Sequence, residues 1–290
     1  KGRATGILDR GTWTTLGLLA PAFVFLAIFF IYPVAQLLFL SVRTPAGAFT
    51  GQNYARIATD PVFLDVLAIT FKISLWTTVI SIVGGYPIAY LLANAPEKRR
   101  NRLMIWVLLP FWTSFLVRTF AWMILLGKNG AVNKLLMAVG LTDAPLAMIY
   151  NLMGTLIGMV HAMMPLAIIT MLPVMQKIDP NLMRAADTLG ARGGQAFWRI
   201  YFPQSMPGVS AAAIMVFISS LGFFIVPSLL GGAHETMLPQ VIITQLQELL
   251  NWAFAGALAV LLLVAALIVF VLYDRIVGMS TLAGASGETS

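Results

Sequence analysis

A few polar side chains stand inside long apolar windows of this chain, and their chemistry is that of binding a solute. Arg118 is the only charge between residues 103 and 127, with Trp112, Ser114 and Trp122 around it. His161 sits in the middle of the charge-free window 144–176, and Glu248 stands at the mouth of the window 249–273 beside Trp252. A charge inside a bilayer must face a partner, a cavity or the interface, so such residues are the default candidates for a translocation pathway. Carboxylates and aromatic faces suit organic cations, whereas a guanidinium does not. Each residue also has a structural reading. Arg118 can lock a bundle by capping carbonyls or a carboxylate, His161 can be a hydrogen-bonded packing residue, and Glu248 can face headgroups.

Bond-breaking chemistry has no comparable candidates. There is no G-x-x-x-x-G-K-S/T to cradle ATP phosphates, no H-E-x-x-H and no G-x-S-x-G. The chain has no cysteine and two histidines, His161 and His234, so thiol catalysis and a Cys zinc site are excluded and a metal centre is not expected. All eleven carboxylates lie outside the charge-free windows, which disfavours an intramembrane enzyme and an ion-coupled secondary transporter. The chain is expected to be non-catalytic and to hold no cofactor of its own.

Elements that position these residues follow from composition. Hydrophobic residues make up 59% of the 290 and charged residues 10%, with mean hydropathy +0.88. A soluble domain carries roughly 25% charged residues, so this is an all-α polytopic membrane protein. Charge-free windows at 11–42, 73–96, 144–176, 200–234 and 249–273, with 103–127 interrupted only by Arg118, each exceed the ~20 residues that cross a bilayer. Six spans are predicted, at about 16–41, 68–95, 103–127, 148–175, 206–231 and 250–273. The first apolar run is too long for a signal-peptide core.

An even count puts both termini on one side. With residues 1–15 and the tail 276–290 inside, twelve Lys and Arg fall in inner segments and four (Arg43, Arg56, Lys128, Lys134) in outer loops, so both termini are expected to be cytoplasmic. The run EKRRNR at 97–102 is the strongest orientation signal, and basic residues so placed argue for topology rather than nucleic acid. Nine prolines in or at the ends of the windows predict bent helices.

The loop 176–205 carries a separate signal. Asp179-Pro180 is a helix start and Gly190 a stop. Leu182, Ala185, Ala186 and Leu189 fall on one face, and Arg184 and Asp187 on the other. A second helix is expected from about Gly194 to Pro203. This short amphipathic helix either rests on headgroups, with Trp198 and Tyr201 as anchors, or docks a soluble partner.

The stretch RAADTLGARGGQAFWRIYFP resembles the EAA loop of binding-protein-dependent ABC importer permeases: Ala185, Ala186, Gly190 and Pro203 match in type and spacing, whereas Arg184 replaces the usual glutamate. The segments 109–133, 228–242 and 251–259 look like the spermidine/putrescine permease B group. The resemblance implies the type I (MetI-like) importer fold with a cytoplasmic coupling helix, in the bacterial inner membrane. It also implies a second permease subunit, two ATPase subunits that bind ATP and magnesium, and a periplasmic binding protein. A polyamine is the leading substrate; opines, amino-acid derivatives, other cations or anions are alternatives.

Overall fold

A computed structural model describes residues 10–44 and 47–285, in two units. Lys1 and Arg3 of the expected N-terminal segment, and the last five residues of the expected tail, lie outside the described residues. The first unit comprises the chain up to Thr59 and Ile242–Leu261. It contains α1 (Arg10–Leu26), running through a π-helical turn at Ala27–Ile31 into α2 (Tyr32–Leu40), then α3 (Gln52–Thr59). Pro21 and Pro33 lie in this first apolar run. Tyr54 and Asn53 of α3 tie back to Ser41, through Tyr54 OH to Ser41 Oγ at 2.8 Å and Asn53 Nδ2 donating to the Ser41 carbonyl at 2.9 Å. The Arg43 guanidinium lies over the Phe39 and Phe49 rings, and Arg56 over Phe254.

The second unit begins with α4 (Pro61–Ala93), whose first turn is capped by the Asp60 carboxylate accepting from Val62 N–H with Pro61 at the first helical position. Next come α5 (Glu97–Trp112), α6 (Phe115–Leu126), α7 (Ala131–Ala138) and α8 (Leu152–Gln176). They are followed by α9 (Pro180–Thr188), α10 (Gly193–Ala196), a π turn at Phe197–Tyr201, α11 (Phe202–Leu221) and α12 (Ile225–Leu230). Helix α13 (Leu238–Gln247) and helix α14 (Trp252–Ala285) are the last described elements, and each is divided between the two units. Five stretches are long and apolar enough to cross a membrane: Leu18–Leu40, Pro61–Ala93, Leu152–Gln176, Gly193–Leu221 and Trp252–Tyr273. The pair Glu97–Trp112 and Phe115–Ala138 passes the same test only together and is bent by 93° at its break, the geometry of a broken span or a re-entrant loop; counted as one span it brings the total to six.

Helices α4, α8 and α11 form the core of the second unit. Small or hydroxylic residues are buried along all three: Thr70, Ser74, Thr77, Ser81 and Gly85 on α4, Gly154, Thr155, Gly158 and Ala162 on α8 (Gly158 against Val226 and Leu230 of α12), and Ser205, Gly208, Ala212 and Ser220 on α11. In lipid, apolar burial does not drive helices together, so close backbone approach must. Gly208 illustrates the approach. A Cβ there would lie 2.9 Å from Val174 Cβ and 3.2 Å from the Met171 carbonyl. Buried Thr70 adds a long-range tie, its Oγ1 accepting from Leu238 N–H at 2.8 Å while donating to the Val66 carbonyl. Thr70→Val leaves that N–H without an acceptor. It is expected to destabilise the protein by ~1–3 kcal/mol, read as a lowered unfolding temperature in detergent.

Two boundaries differ from the apolar windows, and one basic residue falls outside the loops. The third window breaks at Thr113 and Ser114, both in extended backbone, just after Pro110. Proline has no N–H and its ring crowds the preceding turn, and the Thr113 hydroxyl then caps the Pro110 carbonyl at 2.9 Å. The window assigned to 206–231 is a continuous helical run from Gly193 to Leu221, a turn at 222–224, and α12. Lys72, absent from the loop count, lies within α4 and is exposed.

Candidate functional site: an exposed helix and a kinked span

Helix α9 is built by local rules. The Asp179 side chain accepts from Asn181 N–H at 2.9 Å, and Pro180 occupies the first position. At the other end Gly190 takes φ +81°, with Gly190 N–H donating to the Asp187 carbonyl and Ala191 N–H to Ala186. This pair of bonds is a Schellman stop, which a left-handed glycine permits. The four apolar positions do not share one environment, however. Ala186 is 5% exposed, whereas Leu182 is 39% and Leu189 88% exposed, and Ala185 is exposed as well. The buried side of α9 is Ala186 with Met183, a residue outside the expected face. Leu182, Ala185 and Leu189 form an open apolar edge, flanked by exposed Arg184 and Asp187.

An aromatic cluster links the loop's exit to the end of α4. Phe197, Tyr201 and Phe202 pack edge-on or tilted against Tyr86 and Tyr90, with Tyr90 and Tyr201 centroids 4.8 Å apart. Tyr86 OH and Ser205 Oγ are 2.8 Å apart, and Asn94 Nδ2 donates to Tyr201 OH at 3.4 Å. Pro203 lies inside the helical run Gly193–Leu221, directly after the π turn at Phe197–Tyr201, a local widening that accommodates a residue with no N–H to donate. A displacement of α9 therefore bears on α4 and α11, the two helices against which α8 packs.

The second site gathers around the kink. Ser114 precedes α6, and its carbonyl accepts from Arg118 N–H. Arg118 is half-buried, its Nε has no hydrogen-bond partner, and its guanidinium carbon lies 4.9 Å from the Phe115 ring centre. One turn on, Trp122 Nε1–H donates to His161 Nδ1 at 3.1 Å, with the rings edge to face. This bond leaves the His161 proton on Nε2. Phe115 also packs on Phe223 at 5.0 Å, in the turn that ends α11. Arg118, Trp122 and His161 are thus brought to one region, whereas Trp112 is 88% exposed on the other side of the kink. Glu248 and Trp252 belong to the first unit, exposed around the turn between α13 and α14, where Asn251 Oδ1 accepts from Phe254 N–H. Trp122→Phe keeps the ring but strips His161 Nδ1 of its donor. We expect a loss of about 1 kcal/mol of stability, read as a lowered unfolding temperature in detergent, because the half-buried acceptor loses its partner.

Between α4, α5 and α8 runs a cleft of about 1120 Å³, lined by apolar side chains of all three helices. Trp122 and His161 are among its lining residues. Among the described residues, no group of His, Cys, Asp and Glu is placed to hold a metal ion.

Comparison with known proteins accounts for this architecture. Residues 85–278 match the family described as binding-protein-dependent transport system inner membrane component. The chain is 34% identical over 227 residues to the spermidine/putrescine transport system permease protein PotB of Salmonella typhimurium, covering 78% of this chain and 79% of that protein. It is 31% identical over 258 residues to the protein of that name from Haemophilus influenzae, covering 87% and 90%. Among solved structures, a bacterial ABC transporter involved in the import of the acidic polysaccharide alginate superimposes with a TM-score of 0.72 at 17% identity, over 92% of this chain and 96% of that one. The chain belongs to the binding-protein-dependent transport system inner membrane component family and has the fold of an ABC transporter permease.

Proposed function

We propose that this chain forms half of the translocation pathway of an ATP-driven importer for a polyamine, spermidine or putrescine. A second homologous permease supplies the other half, two ATPase subunits bind ATP and magnesium, and a periplasmic binding protein delivers the solute. The observation that carries the substrate is the 31–34% identity to spermidine/putrescine permeases over most of the chain. The open edge of α9 supports the coupling role. Leu182, Ala185 and Leu189 are exposed on a capped, rigid helix, a surface that a soluble subunit can cover. Arg184 beside that edge makes the contact a donor where the family pattern has an acceptor. Both termini and α9 lie on the cytoplasmic side in this reading, and Arg118, Trp122, His161, Glu248 and Trp252 are its pathway residues.

The test is uptake of labelled spermidine into proteoliposomes holding the whole assembly, with ATP inside and the binding protein outside. ATP-dependent accumulation, competed by putrescine and unaffected by lysine, is expected. Accumulation of a different solute class with no response to either polyamine overturns the substrate.

A further inference from the structure

The cleft between α4, α5 and α8 has a second feature, which comes from charge. Its lining positions on α8 run from Leu152 to Ile168, roughly 24 Å of helix, most of a ~30 Å hydrocarbon layer. Its lining contains no glycine, alanine, serine or threonine. Small residues are what bring spanning helices into contact, and those of α4, α8 and α11 are buried at positions outside the cleft. Leucine, isoleucine, methionine and Trp106 (71% exposed) instead leave a groove suited to a flexible chain. At the Gln176 end the groove opens onto positive charge. Arg99 and Arg100 precede the lining residue Leu103 by one turn of α5, on the same face. With its amide oxygen turned toward α5, Gln176 accepts from Arg100 Nε and Nη1 at 3.1 Å, which holds that guanidinium at the end of α8 beside Lys177. Lys98 and Arg102 flank the mouth, and Glu97 is the one carboxylate of α5.

We propose that this cleft binds an anionic phospholipid, an acyl chain lying along Leu103, Val107 and Met164 and the phosphate held by Arg99 and Arg100. Charge complementarity selects the occupant. A neutral helix from a neighbouring subunit would place nothing on the guanidinium groups, whereas a lipid of the same leaflet puts its phosphate at their depth. The proposal is independent of which solute is carried, although Trp122 and His161, named above as pathway residues, also line this cleft.

The whole transporter, purified and washed extensively with phosphatidylcholine and detergent, is assayed by mass spectrometry for retained phosphatidylglycerol. Wild type should keep about one molecule per copy of this chain. The double variant Arg99→Gln/Arg100→Gln should lose it by roughly tenfold or more. Ile157→Trp and Leu91→Trp, which fill the groove and keep the arginines, should lose it similarly. Lys134→Gln, a charge removed elsewhere, should retain it. Equal retention in all variants overturns the proposal, and so does loss in the arginine variant alone, which is the signature of bulk attraction to anionic membrane. The chain has no cysteine, so a single cysteine at Ile157 gives an independent reading. Quantitative cross-linking to the second permease places a protein helix in the cleft and overturns the lipid.

Discussion

Gly190→Pro is expected to abolish transport while leaving the chain inserted in the membrane. Gly190 takes φ +81° at the end of α9 and donates its N–H to Asp187. Proline is locked near φ −65° and has no N–H, so the substitution removes the bond and forbids the conformation, at about 3 kcal/mol or more. The stop cannot form, Leu189 leaves its position, and the open edge of α9 is lost. A penalty of that size corresponds to roughly a hundredfold fall in coupled transport. The apolar helices, whose insertion depends on none of these bonds, should still insert. Gly190→Ala provides the graded comparison: space around the position is open, so only the left-handed φ is penalised, by ~1–2 kcal/mol. Uptake should fall in the order wild type, alanine, proline, with equal amounts of each variant in the membrane fraction. Wild-type uptake by the proline variant would remove α9 from the coupling mechanism.

Gly154→Leu is expected to have the largest effect on folding. A Cβ at this position would meet backbone alone: the Met148 carbonyl at 2.5 Å, the Leu230 carbonyl at 3.1 Å and Ile149 Cα at 3.2 Å. No side chain can move to make room. The site also joins three segments. Gly154 N–H donates to the Asn151 side chain that caps α8, and Tyr150 N–H donates to the Leu230 carbonyl. Displacing α8 here separates it from α12. Overpacking of a close-packed site costs ~1–3 kcal/mol even where side chains can shift, and this site has none to shift. Recovery of monodisperse protein after detergent extraction should fall severalfold. Gly84→Leu is the contrast, because the group facing that position is the end of the flexible Met164 side chain at 2.8 Å.

The two candidate sites differ in how much of them is legible in the sequence, for physical reasons. Helix α9 is read almost residue by residue, because its start and stop are local. Asp179 caps through a neighbour two residues away, and Gly190 is needed for a backbone angle that other residues disfavour. Which face of α9 is covered is not local, since tertiary packing buries Ala186 and partly buries Met183, separating them from Leu182 and Leu189. The apolar windows give the spans, but hydropathy is blind to backbone direction. The segment from Leu103 to Gly127 is one apolar run, and only the lack of a donor at Pro110 hints that it turns through 93°. The same blindness hides the end of α11 at Leu221. In the second site, Arg118, Trp122 and His161 stand out as polar residues in apolar surroundings. The bond between Trp122 and His161 crosses 39 positions, and no spacing rule announces it. Thr70 and Leu238, 168 positions apart, are hidden in the same way.

ATP hydrolysis by the complete assembly in lipid nanodiscs tests the central claim most directly. The account predicts a low basal rate that rises roughly tenfold or more when the spermidine-loaded binding protein is added, as ~1.4 kcal/mol of coupling between sites would require. It predicts no rise with Gly190→Pro, although the ATPase itself still binds nucleotide. Spermidine uptake that continues without any ATPase subunit, or stimulation untouched by Gly190→Pro, would contradict the account.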